Sequence, residues 1–428
     1  MKTFLSIIVF SFVMFNLAAQ DTLRYMQYNL MDYSIPFVNC NDNNNAILKK
    51  NNWLKTIVSA VNPDIMAVNE MGANTTSVKL LLDSVMNKAG TRVYKSAAIA
   101  NPSGSPIISM VYYDPAVVKL KSQDVVIDFP RDFPMYKFYL NTMDLGTALD
   151  TVFFTVILAH LKAGNTSSDS LQRSGSATKL IDYMNGAYPQ GNYILSGDLN
   201  LYTSYEQAWQ TLTNQTASSH NFFDPANQNG DWSGSQFFAN LHTQSTHSDN
   251  DGCHASGGMN DRFDFVLVSG NVLAGASGLK ALTDTYKALG QDGNHLNLAL
   301  NTNPPNTSVS PNLLAALYGN SDHLPIIMDL ETEKHLSIND YSNTIEARII
   351  ENPVADKIQC SVKGVKGDYT FEIFSLMGQS LFKVSKTLSQ GNNMIEIPVQ
   401  QFKSGSYLLR ISDQKNYSTS LKFVVSTH

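Results

Sequence analysis

The amino-acid sequence predicts an α/β fold of two packed β-sheets with helices outside them, followed by a small β-sandwich. Strand-like and helix-like segments alternate over residues 22–330, and a block of successive strands interrupts that alternation. After Leu330 the helical pattern stops, and short segments of alternating apolar and polar side chains follow. These observations predict a large α/β domain over residues 22–330, a linker over 331–350 and a β-sandwich over 351–428.

The composition is that of a globular protein with a large core. Of the 428 residues, 43% are hydrophobic and 15% are charged, which excludes a disordered tail or a coiled coil. The formal net charge is −6, divided into −9 for residues 1–350 and +3 for residues 351–428. This acidic balance argues against tight, nonspecific binding to nucleic acid or anionic membranes through charge alone.

The N-terminus has the pattern of a secretory signal peptide over residues 1–19. Lys2 precedes an apolar run from Phe4 to Leu17, and small residues follow at Ala18-Ala19. The run has 14 residues, whereas a transmembrane helix needs about 18 or more. We therefore expect cleavage near Ala19, export of the mature protein and no transmembrane segment.

The large domain is predicted to contain nine strands and three helices. The strands share β-branched, aromatic or continuous apolar runs, and the helices share an apolar stripe with helical spacing. The predicted strands are Leu23–Leu30, Asp64–Val68, Ile107–Tyr113, Val117–Ile127, Met135–Leu140, Thr151–His160, Tyr193–Gly197 and Arg262–Ser269, with Leu324–Leu330 closing the domain, and the helices are Ala46–Val61, Thr76–Lys88 and Ser170–Met184. Long loops over 214–260 and 290–312 are of the kind that carries function.

The three cysteines leave the disulfide pattern open. Cys40 and Cys253 form the only possible pair within the large domain, and Cys360 lies in the C-terminal domain. An oxidising compartment permits a bond, but sequence cannot determine the connectivity.

Polar motifs cluster at the predicted strand ends. They are Tyr28-Asn29, Asn69-Glu70, His160-Leu161-Lys162, Ser196-Gly197-Asp198-Leu199-Asn200, Asp261-Arg262-Phe263-Asp264 and Ser321-Asp322-His323-Leu324-Pro325. Each has an ordinary explanation by itself, because Gly-Asp-x-Asn is often a turn and a strand-end glutamate is usually solvated. The whole set, in this order and at strand ends, is far less likely to arise by chance, which favours a functional explanation.

This ordered series resembles the endonuclease/exonuclease/phosphatase superfamily, which includes deoxyribonuclease I, abasic-site endonucleases, sphingomyelinases and inositol-polyphosphate 5-phosphatases. The resemblance covers about residues 22–330, and its specific part is the pair Gly197-Asp198-Leu199-Asn200 and Ser321-Asp322-His323-x-Pro325. It implies a four-layer α/β sandwich and a phosphoric ester hydrolase that depends on a divalent metal. Asn69 departs from the family, which usually has glutamine there.

The resemblance implies a role for each matching residue. Asn29, Glu70 and Asp322 would bind Mg²⁺ or Mn²⁺, with Ca²⁺ as a structural alternative. His323 would be the general base, with Asp264 holding its tautomer. Asp198 would orient the attacking water or share the base role. Two further residues would act on the phosphate: Asn200 would donate to a phosphoryl oxygen, and His160 would donate to the phosphate or the leaving group.

The loop His242–Asn260 offers an alternative metal site. Its histidines, aspartates and single cysteine are numerous enough to bind an ion, but their spacing matches neither a tight zinc site nor a complete calcium loop. A solvated loop facing the substrate is the preferred interpretation.

The C-terminal segment resembles the sorting domain of the type IX (Por) secretion system of Bacteroidetes. The resemblance covers about residues 350–428 and rests on Asn352-Pro353-Val354, Phe374–Gln379, Ser404–Tyr407 and Lys422–Val425. It implies recognition by secretion machinery at the outer membrane, with a secreted or cell-surface destination. The alternative is a β-sandwich binding module, for example for glycans.

The sequence therefore predicts a secreted, monomeric, metal-dependent phosphodiesterase, with extracellular DNA or RNA as its first candidate substrate. A phospholipid or sugar-phosphate esterase is the alternative enzyme, and a catalytically silent surface protein is the alternative of another class. Basic or aromatic side chains facing the site would favour a nuclease, and an exposed apolar rim would favour a lipase. Lys162, Arg173 and Arg262 are the basic candidates; Phe222, Phe223, Trp232, Phe237 and Phe238 are the aromatic ones.

Overall fold

The computed structural model describes residues 21–35, 40–41, 43–142, 145, 151–214, 220–332, 336, 345–364, 366–376, 378–389, 391–413 and 418–426. The chain divides into two compact units after Ser337, a position inside the linker predicted over residues 331–350. The signal peptide predicted over residues 1–19 lies outside the described residues and stays a prediction.

The first unit contains two six-stranded sheets. Its described strands are β1 (Asp21–Tyr33), β2 (Ile65–Gly72), β3 (Lys95–Ser96), β4 (Ile107–Tyr113), β5 (Val118–Val126), β6 (Phe133–Leu140), β7 (Phe153–His160), β8 (Tyr193–Asp198), β9 (Phe222–Phe223), β10 (Asp264–Ser269), β11 (Leu279–Ala288) and β12 (Ile326–Thr332). The first sheet has the order β11-β12-β1-β2-β4-β3, and the second has the order β5-β6-β7-β8-β10-β9. Both sheets are mixed, because β1 and β2 are parallel and so are β7 and β8.

Six helices lie among the described residues, most of them on the outer faces of the two sheets. They are α1 (Ile47–Val61), α2 (Thr75–Ser84), α3 (Ser167–Ala187), α4 (Gln207–Thr213), α5 (Gly270–Ala274) and α6 (Pro311–Asn320), with 3-10 turns at Met86–Lys88 and Gln236–Leu241. No helix among the described residues is both long enough and apolar enough to cross a membrane.

Three apolar cores define four layers. The central core joins inward side chains of the two sheets, such as Tyr25 with Val156. A second core packs the other face of the first sheet on α1, α2 and α6, and a third packs the second sheet on α3 and α4. The predicted four-layer α/β sandwich is therefore confirmed. Alternation within β1 shows how the sequence encodes it, because Tyr25 faces one core and Met26 the other.

Several elements were not predicted from the sequence. Strand β11 pairs with β12, yet its register shifts between Leu282 and Lys287, and this irregularity breaks the alternation that marks a strand. Helix α6 begins within the segment predicted as a loop over residues 290–312, where Ser310 caps it and Pro311 occupies its first turn. Helix α4 has only seven residues, too few to show a periodic stripe.

The second unit is a small β-sandwich, as predicted. Its described strands are β13 (Glu346–Ile349), β14 (Lys357–Gly364), β15 (Gly367–Ser375), β16 (Ser380–Leu388), β17 (Gly391–Pro398), β18 (Gly405–Asp413) and β19 (Ser418–Val425). They form a three-stranded sheet, β13-β14-β17, and a four-stranded sheet, β16-β15-β18-β19. Ile358 and Ile397 of one sheet share a core with Phe371 and Phe423 of the other.

A disulfide joins Cys40 to Cys253. The pairing that the sequence left open is thus the one within the first unit. Cys360 is a buried free thiol in the second unit.

Candidate active site

The predicted site residues meet where four strands end. Asn29 lies near the end of β1 and Glu70 near the end of β2, while His160 and Asp198 end β7 and β8 as register partners. We call this the carboxyl edge of the sandwich. Asp264 begins the antiparallel strand β10 opposite Asp198, so it lies at the same edge.

A buried asparagine ties the two sheets together beneath this edge. The Asn69 amide nitrogen donates to the carbonyl of Ala159 at 3.1 Å, and its amide oxygen accepts from the backbone N–H of Asp198 at 3.0 Å. Gln27 and Ser109 complete its hydrogen bonds. The residue that departs from the family's glutamine therefore fixes the relative position of the two sheets.

Gly197 allows β7 and β8 to approach closely. Its φ is 144°, and a Cβ atom there would lie 1.8 Å from the carbonyl oxygen of Ala159. Only glycine fits this position, which aligns His160 with Asp198.

Glu70, His160 and Asp198 form a group that fits a metal ion. One potential ligand atom from each lies within 4.8 Å of the other two, and this is the only group of three or more such side chains found among the described residues. The His160 Nε2 atom is 3.6 Å from both Glu70 Oε1 and Asp198 Oδ2. Two carboxylates and one imidazole are an ordinary ligand set for a divalent cation.

The electrostatics of this group also fit a cation. Burial raises the pKa of Asp198 to about 7, so the free carboxylate lacks compensating positive charge. Burial lowers the pKa of His160 well below its ordinary value, which leaves the imidazole neutral and able to offer a lone pair. Glu70 has left-handed backbone at φ 58°, the kind of strain that is concentrated at functional sites.

The predicted ligand set of Asn29, Glu70 and Asp322 overlaps with this group at Glu70 only. The Asn29 amide nitrogen donates to Glu70 and Asp198, each at 3.0 Å, while its oxygen accepts from the Met31 N–H. Asp322 instead accepts from the Ala255 N–H at 2.9 Å. Metal ligation by Asn29 and Asp322 stays a prediction.

His323 and Asp264 form a buried pair beside the metal group. The His323 Nδ1 atom is 2.7 Å from Asp264 Oδ2, and its Nε2 atom lies 3.8 Å from Asp198 Oδ2. Burial lowers the pKa of His323, but the Asp264 carboxylate outweighs it, and the pKa lies well above its ordinary value. The imidazole thus has one nitrogen on an orienting carboxylate and the other facing the site, as the predicted base requires.

Asn200 lies in the wall of the same site. Its backbone N–H donates to Asp198 Oδ1 at 3.0 Å, and its side-chain amide donates to the Leu161 carbonyl at 3.3 Å. All eight predicted site residues are therefore at the carboxyl edge, and their individual roles remain predictions.

Comparison with known proteins agrees with the resemblance of the C-terminal segment. Residues 349–426 match the model of the secretion system C-terminal sorting domain family. The predicted sorting domain is confirmed. No curated protein sequence matches the chain.

Solved structures similar to this chain include endonuclease/exonuclease/phosphatase proteins. D. rerio TDP2 complexed with a single-strand DNA product is 11% identical, with a TM-score of 0.46, and the match covers 73% of this chain and 100% of that one. A Bacteroides thetaiotaomicron endonuclease/exonuclease/phosphatase family protein is 13% identical, with a TM-score of 0.41 and coverage of 73% and 96%. A mannosyl-6-phosphatase from Bacteroides thetaiotaomicron is 14% identical, with a TM-score of 0.41 and coverage of 72% and 99%.

Two residues at the site were not predicted from the sequence. Arg131, in the β5–β6 loop, donates to the carbonyls of His160 at 2.9 Å and Leu161 at 2.7 Å. Gln244 lies against His323, with its amide nitrogen 2.7 Å from Nε2. Both belong to irregular loops, where no periodicity marks a position as facing the site.

The three predicted basic candidates are engaged in ion pairs. Lys162 pairs with Asp169, the buried Arg173 with Glu206, and the buried Arg262 with Asp224. Arg262 and Arg173 therefore stabilise loops and do not face a substrate.

The alternative metal loop is held by internal contacts. His254 pairs with Asp251 at 2.6 Å, and the rings of His254, His247 and Tyr318 stack with centroids about 4 Å apart. His242 contacts the Trp232 carbonyl at 2.7 Å. In this part of the described chain no three such side chains converge on one point.

Proposed function

We propose that this protein is a divalent-metal-dependent phosphodiesterase, with nucleic acid as its first candidate substrate. One observation carries the proposal: the group Glu70, His160 and Asp198 lies directly beside the His323–Asp264 pair. Hydrolysis of a phosphate ester needs a cation to neutralise the phosphoryl oxygens and a base to activate water. This site offers ligands for the cation next to an oriented imidazole.

Different residues of the chain would bind the metal ion and transfer the proton. A divalent ion held by Glu70, His160 and Asp198 would neutralise charge on the phosphoryl oxygens. The Nε2 atom of His323 takes a proton from the attacking water, and Asp264 stabilises the imidazolium that forms. If an ion takes His160 as a ligand, that histidine does not donate to the leaving group as the sequence predicts.

Arg131 supplies positive charge next to these residues. Its guanidinium uses two nitrogens to hold the His160 and Leu161 carbonyls. Burial lowers the pKa of Arg131, and the nearby Glu70 and Asp198 carboxylates oppose that shift, so the guanidinium stays charged. A planar guanidinium is suited to the oxygens of a phosphate. We therefore assign Arg131 to the phosphate-binding side of the site.

Exposed aromatic residues in segments that lead to or from the site residues favour a nucleic-acid substrate. Phe129 in the β5–β6 loop is 75% exposed, Tyr205 after β8 is 76% exposed, and Phe237 in the 3-10 turn before Gln244 is 79% exposed. Bases stack on such side chains without sequence preference, by about 1–3 kcal/mol each. With the predicted basic residues engaged elsewhere, this surface suits short or single-stranded substrates better than long duplexes.

A phospholipid phosphodiester is the second candidate. Ile127 and Leu171 are also exposed, and the Gln172 side chain, next to Leu171, donates to the Phe129 carbonyl at 3.1 Å. Exposed apolar side chains on these two neighbouring segments are a feature that a lipid substrate would use.

The C-terminal domain determines where the activity is exercised. A secretion system sorting domain implies export and a cell-surface or extracellular location. We propose that it is recognised by the outer-membrane secretion machinery, so that the substrate is extracellular.

A substrate panel tests the proposal. Single-stranded DNA, duplex plasmid DNA, RNA, sphingomyelin and inositol phosphates are each incubated with Mg²⁺, Mn²⁺, Ca²⁺ or chelator. We expect metal-dependent cleavage of single-stranded DNA or RNA at the highest kcat/KM. Preferential release of phosphocholine from sphingomyelin would establish the second candidate instead, and no cleavage of any phosphodiester would refute the proposal.

The aromatic residues provide a matched test of the substrate class. Phe237→Ala removes an exposed ring from the 3-10 turn that leads to Gln244, while Phe223→Ala removes a half-exposed ring from β9, which pairs with the far end of β10. We expect only Phe237→Ala to raise KM for single-stranded nucleic acid, by about fivefold or more.

A further inference from the structure

The side chain of Gln244 contacts Nε2 of His323, the atom that accepts the proton in the proposed mechanism. Its amide Nε2 lies 2.7 Å from His323 Nε2 and 3.2 Å from Asp322 Oδ2. The contact with Asp322 identifies which end of the amide faces the histidine, because a carboxylate oxygen needs a donor. Gln244 therefore directs N–H groups at both side chains.

The backbone around Gln244 is held firmly. Its N–H donates to the Asp261 carbonyl at 3.1 Å, and its own carbonyl accepts from the N–H groups of Asn260 and Asp261, each at 2.9 Å. Strand-like bridges connect Gln244 with both Asp261 and His323. The side chain thus starts from a fixed point and reaches the imidazole without a mobile hinge.

Asp264 and Gln244 together specify the position of the proton on the imidazole. A donor at Nε2 requires a lone pair there, and Asp264 Oδ2, 2.7 Å from Nδ1, requires a proton there. The neutral ring is consequently the Nδ1–H tautomer, with Nε2 ready to accept. Positive charge from a divalent ion beside Asp198 would favour this neutral ring by opposing the surrounding carboxylates.

We propose that Gln244 is a positioning residue, which holds His323 in the tautomer whose Nε2 lone pair faces the site. The inference rests on the proposed phosphodiesterase function and adds a residue to it. Attacking water takes the place of the Gln244 N–H at Nε2 before the proton is transferred.

Three substitutions separate this role from simple packing. Gln244→Met keeps the length and removes the hydrogen bonds, and Gln244→Glu keeps the shape but offers only acceptors. Gln236→Met is the matched control, since Gln236 donates to the Gly293 carbonyl and does not touch His323.

The readouts are steady-state kinetics and the imidazole ¹⁵N shifts of Mg²⁺-loaded protein labelled at histidine. The chain has nine histidines, so the His323 signal is assigned by its loss in His323→Gln. We expect the wild-type signal to be that of the Nδ1–H tautomer. Gln244→Met should give a mixture of tautomers and a kcat about tenfold lower, with KM within twofold. Gln244→Glu should give the doubly protonated imidazolium, because each ring nitrogen then faces a carboxylate, and a larger loss of kcat, and Gln236→Met should match the wild type.

Two results would overturn the inference. One is an unchanged tautomer signal in Gln244→Met, whatever its kcat, because the residue would then not act through the imidazole. The other is a changed signal with full activity, because the tautomer would then not matter to the reaction. If the wild type hydrolyses no phosphodiester, the proposed function fails, and the tautomer signal alone decides whether Gln244 positions His323.

Discussion

Individual backbone positions set the geometry of the candidate site at the residue scale. Gly197 brings Asp198 beside His160, and the left-handed conformation of Glu70 turns its carboxylate toward them. Only one of these two positions can be identified from the sequence. Gly197 is marked by its Gly-Asp-x-Asn context, whereas the backbone conformation of Glu70 has no sequence signal, because glutamate rarely adopts it.

Gly197→Ala should destabilise the first unit by at least about 3 kcal/mol, because the new Cβ has no room against the Ala159 carbonyl and φ is unfavourable. Chemical denaturation measures the free energy of unfolding. Gly175→Ala is the control: it lies in helix α3 with nothing within 4 Å of its Cβ, so it should be neutral or stabilising by about 0.5–1 kcal/mol. Equal stability of the two variants would contradict this explanation of Gly197.

Asp264→Asn tests the orientation of His323. An amide can donate to Nδ1, which moves the imidazole proton to Nε2 and removes the lone pair that faces the site. We expect kcat to fall on the order of 10²- to 10⁴-fold with an unchanged fold by circular dichroism. Asp284→Asn, at an exposed position of β11, should retain wild-type kcat. Full activity of Asp264→Asn would exclude His323 as an Asp264-oriented base.

Two connections anchor the site at the scale of elements. Helix α1 inserts Lys50 beneath the site, where its ammonium donates to the carbonyls of Met31 and Asn320. The Cys40–Cys253 disulfide attaches the segment after β1 to the loop whose Ala255 N–H holds Asp322. Neither connection was predictable as a site support, because each depends on which loops the two sheets bring together.

The buried Lys50 should make the free energy of unfolding depend on pH. Burial lowers its pKa from 10.5 to about 7, so between these values the unfolded chain binds a proton that the folded protein does not. The free energy of unfolding should therefore gain up to about 1.4 kcal/mol per pH unit from this group as pH rises from about 7 to 10.5. Lys50→Met should remove that slope, measured by denaturation at several pH values, and the exposed Lys49→Met should keep it. Identical slopes in both variants would show that Lys50 is not the responsible group.

Removal of the disulfide should weaken the first unit. Cys40→Ser with Cys253→Ser opens a loop with a sequence separation of 213 residues, and we expect a loss of about 3–5 kcal/mol in the free energy of unfolding. The kcat should fall as well, because Ala255, whose N–H holds Asp322, belongs to the loop that is released. Cys360→Ser, in the second unit, should leave the unfolding of the first unit unchanged. An unchanged unfolding transition in the double variant would contradict the anchoring role.

The molecule as a whole combines an acidic α/β unit with a small basic sorting domain. The layers and the position of the site at strand ends were predictable, because apolar periodicity and strand-end motifs encode them locally. The set of side chains that would share an ion was not predictable from the sequence. His160, Asp198 and Glu70 come from two sheets, and the separation of the sheets depends on Asn69 and the central core. The net charge of −9 in residues 1–350 is partly explained by carboxylates grouped at one edge.

The most direct test of the account is metal add-back to chelator-treated protein, with the hydrolysis rate of single-stranded DNA or RNA measured against Mg²⁺ or Mn²⁺ concentration. We predict no hydrolysis without the ion, full recovery on its addition to the wild type, and at least a tenfold higher ion requirement in Glu70→Gln, which keeps its shape but loses its charge. Undiminished hydrolysis in excess chelator, or the same ion requirement in Glu70→Gln as in the wild type, would contradict a metal centre at Glu70, His160 and Asp198.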